Sequence, residues 1–221
     1  MKKPLIIFGA GDIAELVYFY FTTDSCWDVV AFTVDSKWID RDEFCGKPVI
    51  DFESLEKYYP PTDYSVFVAV SYSGLNRLRR EKYEYLKRAG YEFASYISSR
   101  ATILNNYEIG ENCLILENNT IQPFVSIGHN VTLWSGNHIG HHCEIGDHTF
   151  VSSHVVVSGG VRVGSSCFIG VNATLRDHIV VGDQCVIGAG VLLLSDAESG
   201  GVYMVEGAQR SKVPSNRIRR I

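Results

Sequence analysis

From Ile103 to Leu193 every sixth residue is aliphatic, through sixteen consecutive positions. A helix repeats its buried face about every 3.6 residues and a strand about every 2, so neither yields a strict six. A fixed short repeat over so long a stretch is the pattern of a parallel β-helix solenoid. Four residues after each anchor comes a second restricted column. Most of its members are small or medium, such as Cys113, Val125, Cys143, Thr149, Ala173 and Cys185; Tyr107 is a large one. One large aliphatic and one smaller residue per face suit the narrow interior of a prism. Three hexads make a triangular coil of eighteen residues, so residues eighteen apart are expected to stack at about the 4.8 Å spacing of sheet strands. Sixteen hexads give roughly five coils with no inserted loop, and Ile97 extends the register one step toward the N-terminus. Glycine follows the anchor at Gly110, Gly128, Gly140, Gly146, Gly164, Gly170, Gly182 and Gly188. There it is expected to supply the positive φ of a corner.

The 221 residues are enough for two modest domains, and the net charge of −5 offers no basic field for nucleic acid. No stretch of eighteen or more apolar residues is present, so no membrane span is expected. The opening Met1-Lys2-Lys3-Pro4-Leu5-Ile6-Ile7-Phe8 is basic and then apolar, but its apolar run is too short for a secretory signal. Four of the six cysteines, Cys113, Cys143, Cys167 and Cys185, fall in the inward small column. Reduced thiols acting as small apolar fillers are expected, in keeping with a cytoplasmic location. No CxxC pair exists and no carboxylate-rich cluster accompanies the seven histidines, so no metal is expected.

The first hundred residues carry a different pattern. Leu5 to Phe8 reads as a buried strand, Gly9-Ala10-Gly11-Asp12-Ile13-Ala14 as a glycine turn, and Ile13 to Phe21 as a helix. Val29 to Asp35 reads as a second strand ending in an acid, Tyr64 to Val70 as a third, and Arg77 to Ala89 as a charged helix. Backbone N–H groups at such a turn and helix start can hold phosphate. A single GxGxxA leaves three readings: a dinucleotide site, a turn that merely packs helix on sheet, or a cradle for the diphosphate of a nucleotide-sugar.

A small Rossmann-like domain, residues 1–96, followed by a hexapeptide solenoid, 97–195, and a closing segment, 196–221, resembles the bacterial nucleotide-sugar acyltransferases. These include the N-acetyltransferases of 4-amino-4,6-dideoxy sugars and the sialic-acid O-acetyltransferase-type proteins. The resemblance implies a left-handed β-helix and a homotrimer. It implies acetyl-CoA as acyl donor in the groove between two β-helices, and a UDP- or dTDP-linked sugar on the N-terminal domain.

Asn137-His138-Ile139-Gly140-His141-His142-Cys143-Glu144-Ile145-Gly146 resembles the family's catalytic motif and puts the general base on His141. The family usually has an acid at the next position; here it is His142, which cannot supply a compensating charge. Glu144, Asp147 and Glu117 are other candidates to orient the base. Gly159 lies one coil beyond His141, where the family uses a backbone N–H for the thioester oxyanion. His138 and His154 are possible further participants, while His129 and His178 are expected to be structural. The resemblance further assigns Gly9, Ala10 and Gly11 to phosphate, and Asp35 and Lys37 to base and ribose. Ser71 is a further ligand contact, since it follows the third strand. Ala189 and Gly190 are assigned to CoA. Arg217, Arg219 and Arg220 either meet the CoA 3′-phosphate or form a solvated end. Two alternatives stay open: transfer to a sugar hydroxyl, and a non-catalytic trimeric scaffold.

Overall fold

The structure, a computed structural model, describes residues 3–104, 109–210 and 215–217. Tyr107, Arg219 and Arg220 lie outside the described residues.

The N-terminal unit is a sheet of β1 (Lys3–Phe8), β2 (Trp27–Val34), β3 (Glu43–Phe44), β4 (Lys47–Asp51), β5 (Ser65–Val68) and β6 (Glu92–Phe93). Their order is β3-β4-β2-β1-β5-β6, parallel except for the β3–β4 hairpin. Alternation along β1 divides the core. Leu5 and Ile7 pack with Ala14, Val17 and Phe21 of α1 (Asp12–Thr23). Ile6 and Phe8 pack with Tyr83 and Leu86 of α3 (Arg77–Arg88). A strand buried on both faces reads as a continuous apolar run, as Leu5 to Phe8 does. The hairpin and the short α2 (Leu55–Tyr58) carry no comparable run.

From Tyr96 onward the chain forms two-residue strands on three faces, each pairing in parallel with the strand eighteen residues away, except that the last, Val202–Tyr203, pairs with Val186–Ile187 sixteen residues back. On one face Thr132 pairs with Phe150; on the second Thr120 pairs with His138; on the third Ser126 pairs with Glu144. Ile97 pairs with Ile115, so the register does extend to it. The anchors from Ile115 to Leu193 are buried, and so is the small column from Cys113 to Val191. All six cysteines are free, and the four in this column are fully buried. Burial pushes the Cys113 thiol up to about 12 and Cys167 up to about 11. Asn119 and Asn137 also sit inside, each donating to the carbonyl of Trp134, while Asn137 Oδ1 accepts from Val155 N at 2.7 Å.

One expectation fails. The glycines that follow the anchors do not supply positive φ. That conformation falls two residues later, on Asn112, Asn130, His142, His148, His154 and His178, or on Gly136, Gly160 and Gly190. The glycines serve close approach instead. A Cβ on Gly140 would lie 2.7 Å from Gly159 N, and one on Gly146 would lie 2.6 Å from the carbonyl carbon of Gly164. Coils at strand spacing leave no room for a side chain there. Asn and His tolerate the left-handed turn, which explains why so many histidines gather in this half.

The N-terminal unit docks on the face that carries Leu114, Thr132, Phe150 and Phe168. The Tyr72 ring packs 4.9 Å from Phe150 and 4.8 Å from Phe168. Arg79 is buried and donates to Thr132 Oγ1 and to the His148 carbonyl. Burial pulls its pKa down to about 10, which leaves it charged near neutral pH. Val68 N donates to Asn112 Oδ1 at 2.8 Å, Asn76 to the Cys167 carbonyl at 3.2 Å, and Tyr20 to Glu117 at 2.7 Å.

Candidate active site

Two separate surfaces emerge. The first lies at the carboxyl ends of β1 and β5, where open parallel sheets bind ligands. Gly9, Ala10, Gly11, Asp12, Ile13, Ala69, Val70 and Ser71 line a groove of about 460 Å³. Gly9 adopts φ +124°, and a Cβ there would lie 2.5 Å from the Ala69 carbonyl oxygen, so only glycine fits. Gly11 caps α1 without a side-chain acceptor, which leaves the first amides of the helix for a ligand. The Asp12 carboxylate in the same turn offsets part of the attraction for an anion.

Asp35 and Lys37 do not line this groove. Asp35 pairs with Lys82 of α3, whose ammonium lies 4.0 Å over the Phe52 ring. Lys37 is exposed, 5.6 Å over the Trp38 ring. Lys82 was invisible in the sequence, because nothing in a charged helix marks which lysine will reach a strand end.

The second surface is a corner of the solenoid. His141 is exposed, and its backbone N donates to Gln122 Oε1 at 2.9 Å. Its imidazole lies over Gly159 of the next coil. A Cβ on Gly159 would sit 2.6 Å from Cε1 and 2.7 Å from Nε2 of that ring. The coil joint beside it is closed by Gly160 N, which donates to the His141 carbonyl at 2.8 Å. The N–H of Gly159 itself has no hydrogen-bond partner among the described residues. His141 Nδ1 is 3.1 Å from Nδ1 of His142, with the rings nearly perpendicular at 85°. The His142 backbone is left-handed, at φ +58°, and its ring packs 4.6 Å from Phe124. The other proposed orienters are engaged elsewhere. Glu117 accepts from Tyr20 and Ser135, Asp147 Oδ1 accepts from His129 N, and Glu144 lies 4.0 Å from Arg162.

The remaining histidines separate by place. His138 points outward from a face, paired between Thr120 and Val156. His154 covers Gly136 at a different corner, where a Cβ would be 2.6 Å from its Nδ1. His178 covers Gly160 in the same manner, and His129 Nδ1 accepts from Glu111 N at 3.1 Å. His148 belongs to the domain interface; burial pulls its pKa down to about 4, and Arg79 and Arg80 add to the effect against Asp147. Ala189 and Gly190 are exposed at the same corner as His154, not at that of His141. Arg217 is exposed. Among the described residues no group of three or more His, Cys, Asp or Glu could hold a metal ion, and no helix is long and apolar enough to cross a membrane.

Residues 106–140, 124–159 and 160–195 match the family described as bacterial transferase hexapeptide, six repeats. No curated protein sequence matches the chain significantly. Among solved structures, the acetyltransferase domain of PglB from Neisseria gonorrhoeae FA1090, in complex with acetyl coenzyme A, is 23% identical. It matches with a TM-score of 0.79, covering 91% of this chain and 96% of its own. A single-site mutant of perosamine N-acetyltransferase from Caulobacter crescentus, in complex with CoA and GDP-perosamine, is also 23% identical. Its TM-score is 0.80, covering 91% of this chain and 93% of its own. WeeI from Acinetobacter baumannii AYE is 20% identical, with a TM-score of 0.75 and coverage of 90% and 95%. Likeness over both domains fixes the architecture, including the left-handed sense of the coil. Residues 106–195 thus carry the six-residue repeat of the bacterial transferase hexapeptide model, and the chain as a whole has the fold of these structures, an N-terminal α/β unit followed by a left-handed β-helix.

Proposed function

We propose that the protein transfers the acetyl group of acetyl-CoA to the amine of a nucleotide-linked 4-amino-4,6-dideoxy sugar, carried on UDP or dTDP, with His141 as general base. The observation that carries this reading is the exposed His141 imidazole lying over Gly159, a glycine whose N–H is unclaimed by the coil. A thioester is already activated, so the protein needs to supply only position, a proton acceptor and an oxyanion donor. One positioned general base contributes about 10²–10⁴ in rate. A free N–H beside the base is suited to the developing oxyanion, a role worth about 10²–10³ in kcat. The complexes formed by the similar structures, with acetyl-CoA in one and with CoA and GDP-perosamine in another, support the substrate classes.

The triangular section argues for a shared site. The chain runs from the domain-bearing face to the second and then the third, so the His141 corner is the edge opposite the docked domain. A sugar held in the Gly9–Ser71 groove therefore reaches His141 of another subunit rather than its own. A closed homotrimer brings the two together and offers acetyl-CoA the cleft between adjacent coils. Ala189 and Gly190, on a different corner from His141, then belong to the opposite wall of that cleft. Asp35 would act through its pairing with Lys82 at the sheet edge, and Lys37 from the exposed loop beyond it.

The test combines purified protein, acetyl-CoA and a panel of UDP-, dTDP- and GDP-linked 4-amino sugars, with release of free thiol as the signal. Turnover with an amino sugar, an alkali-stable product and a loss of at least about 10² in kcat for His141→Asn are expected. An alkali-labile ester product would shift the reading to hydroxyl acetylation. Full turnover by His141→Asn would remove His141 as the base.

A further inference from the structure

We propose that His142 is a positioning residue that fixes the tautomer of His141 and shares its proton, doing with a neutral ring what a carboxylate would do with a charge. The inference rests on His141 being the base. The two Nδ1 atoms are 3.1 Å apart, so the neutral pair can hold only one hydrogen between them. A base acting through Nε2 must carry its hydrogen on Nδ1. Among the described residues the only acceptor for that hydrogen is His142 Nδ1. His142 then carries its own hydrogen on Nε2.

The chain aims His142 at this task from its backbone. Phe124 and His142 are one coil apart, both left-handed at φ +67° and +58°, and their rings pack at 4.6 Å and 35°. Phe124 thus props the second imidazole against the first. The described groups in contact with the pair include Gln122, Phe124 and Gly159, none of them ionisable, and His178 covers Gly160, one coil beyond His142. His138 lies on the adjoining face, and Glu144 and Arg162 on the next, 4.0 Å from each other. Among the described residues no carboxylate is hydrogen-bonded to either ring, and the second imidazole is the partner that can share the charge of an imidazolium formed here.

The protons balance. The amine nitrogen bonds to the thioester carbon, and its proton moves to His141 Nε2. The Nδ1 hydrogen crosses to His142 Nδ1, so His141 is neutral with Nε2–H and His142 is the imidazolium. As the carbon–sulfur bond breaks, the Nε2 hydrogen passes to the CoA sulfur and the bridging hydrogen returns to His141.

Nitrogen-15 NMR of the full-length protein labelled at histidine tests this without turnover, with His141→Asn and His142→Asn used for assignment. The expected result near pH 7.5 is Nδ1–H on His141 and Nε2–H on His142. Both rings should then report the same protonation event, because they share one hydrogen. Independent titration of the two rings, or Nε2–H on His141, would overturn the proposal. A kinetic readout separates it from a packing role. Asp and Asn both tolerate positive φ. His142→Asp should move the acidic limb of kcat/KM up by about 1–3 pH units. His142→Asn should lower kcat at least about tenfold. A purely structural His142 would leave the limb in place and change only KM for acetyl-CoA. Joint titration in a protein that acetylates no amino sugar would retire the proposed function and leave the paired rings standing; turnover through His141 with independent titration would do the reverse.

Discussion

Gly159→Ala tests the proposed site by a single methyl group. Its Cβ would lie 2.6 Å from Cε1 and 2.7 Å from Nε2 of His141. Carbon and nitrogen atoms in contact need about 3.5 Å or more, so something must move by roughly 1 Å. The backbone at Gly159 is not left-handed, so alanine adds no conformational strain there. The His141 ring is exposed and ends a flexible side chain, and it is the ring that gives way. Displacement also stretches the 3.1 Å contact with His142. A misplacement of about 1 Å at a reacting group costs on the order of 10² in rate, about 2.7 kcal/mol of transition-state stabilisation. Gly159 is half-buried and the ring that yields is exposed, so stability should change by less than about 1 kcal/mol. The assay is continuous detection of CoA thiol at saturating acetyl-CoA, with thermal melting alongside. Unchanged kcat at an unchanged melting temperature would refute the reasoning, since it would mean that the imidazole need not lie where the coil puts it.

Other outcomes follow from the frame. Gly9→Ala, at φ +124° and 2.5 Å from the Ala69 carbonyl, should destabilise the protein by about 3 kcal/mol or more, read by thermal melting. Asn137→Ala removes the acceptor for Val155 N and a donor to the Trp134 carbonyl inside the coil; chemical denaturation should show a loss of about 1–3 kcal/mol. His148 titrates at about 4 in the folded protein, below its value of about 6.5 when unfolded. The unfolded state therefore takes up the proton first as pH falls. Stability is full above about pH 6.5 and declines progressively toward pH 4. Calorimetry from pH 7.5 to 4.5 should show this decline, flattened in His148→Asn, a residue that also accepts the φ of +62° found there.

The solenoid was legible because its constraint is repeated. Each anchor from Ile115 to Leu193 faces the same narrow interior, so one physical demand appears many times in the sequence. The strands β1, β2 and β5 and the helices α1 and α3 were legible for a related reason: each has a buried face long enough to show its period. The β3–β4 hairpin was not, since a short exposed edge imposes little pattern. Glycine after the anchor was read as a turn residue, whereas the coil needs it for space; sequence shows which residue is permitted, not which of its properties is used. At the site, the stacking of His141 on Gly159 follows from counting by eighteen. The Nδ1 contact with His142 does not, because it depends on side-chain torsions that no spacing fixes. Asp35 shows the same limit: its place after β2 could be read, but its partner Lys82 comes from a helix far along the chain.

The central claim is that one site takes its base from one subunit and its sugar groove from another. Two variants isolate the halves: His141→Asn, without the base, and Ser71→Trp, which fills the groove. Each alone should be inactive. Mixed oligomers formed at equal ratio by co-expression should regain activity in about one site in four, since that fraction pairs an intact His141 with an intact groove on a neighbouring chain. Recovery near that level is the expected result. Mixed oligomers as inactive as either parent, with both variants folded and assembled, would contradict the account.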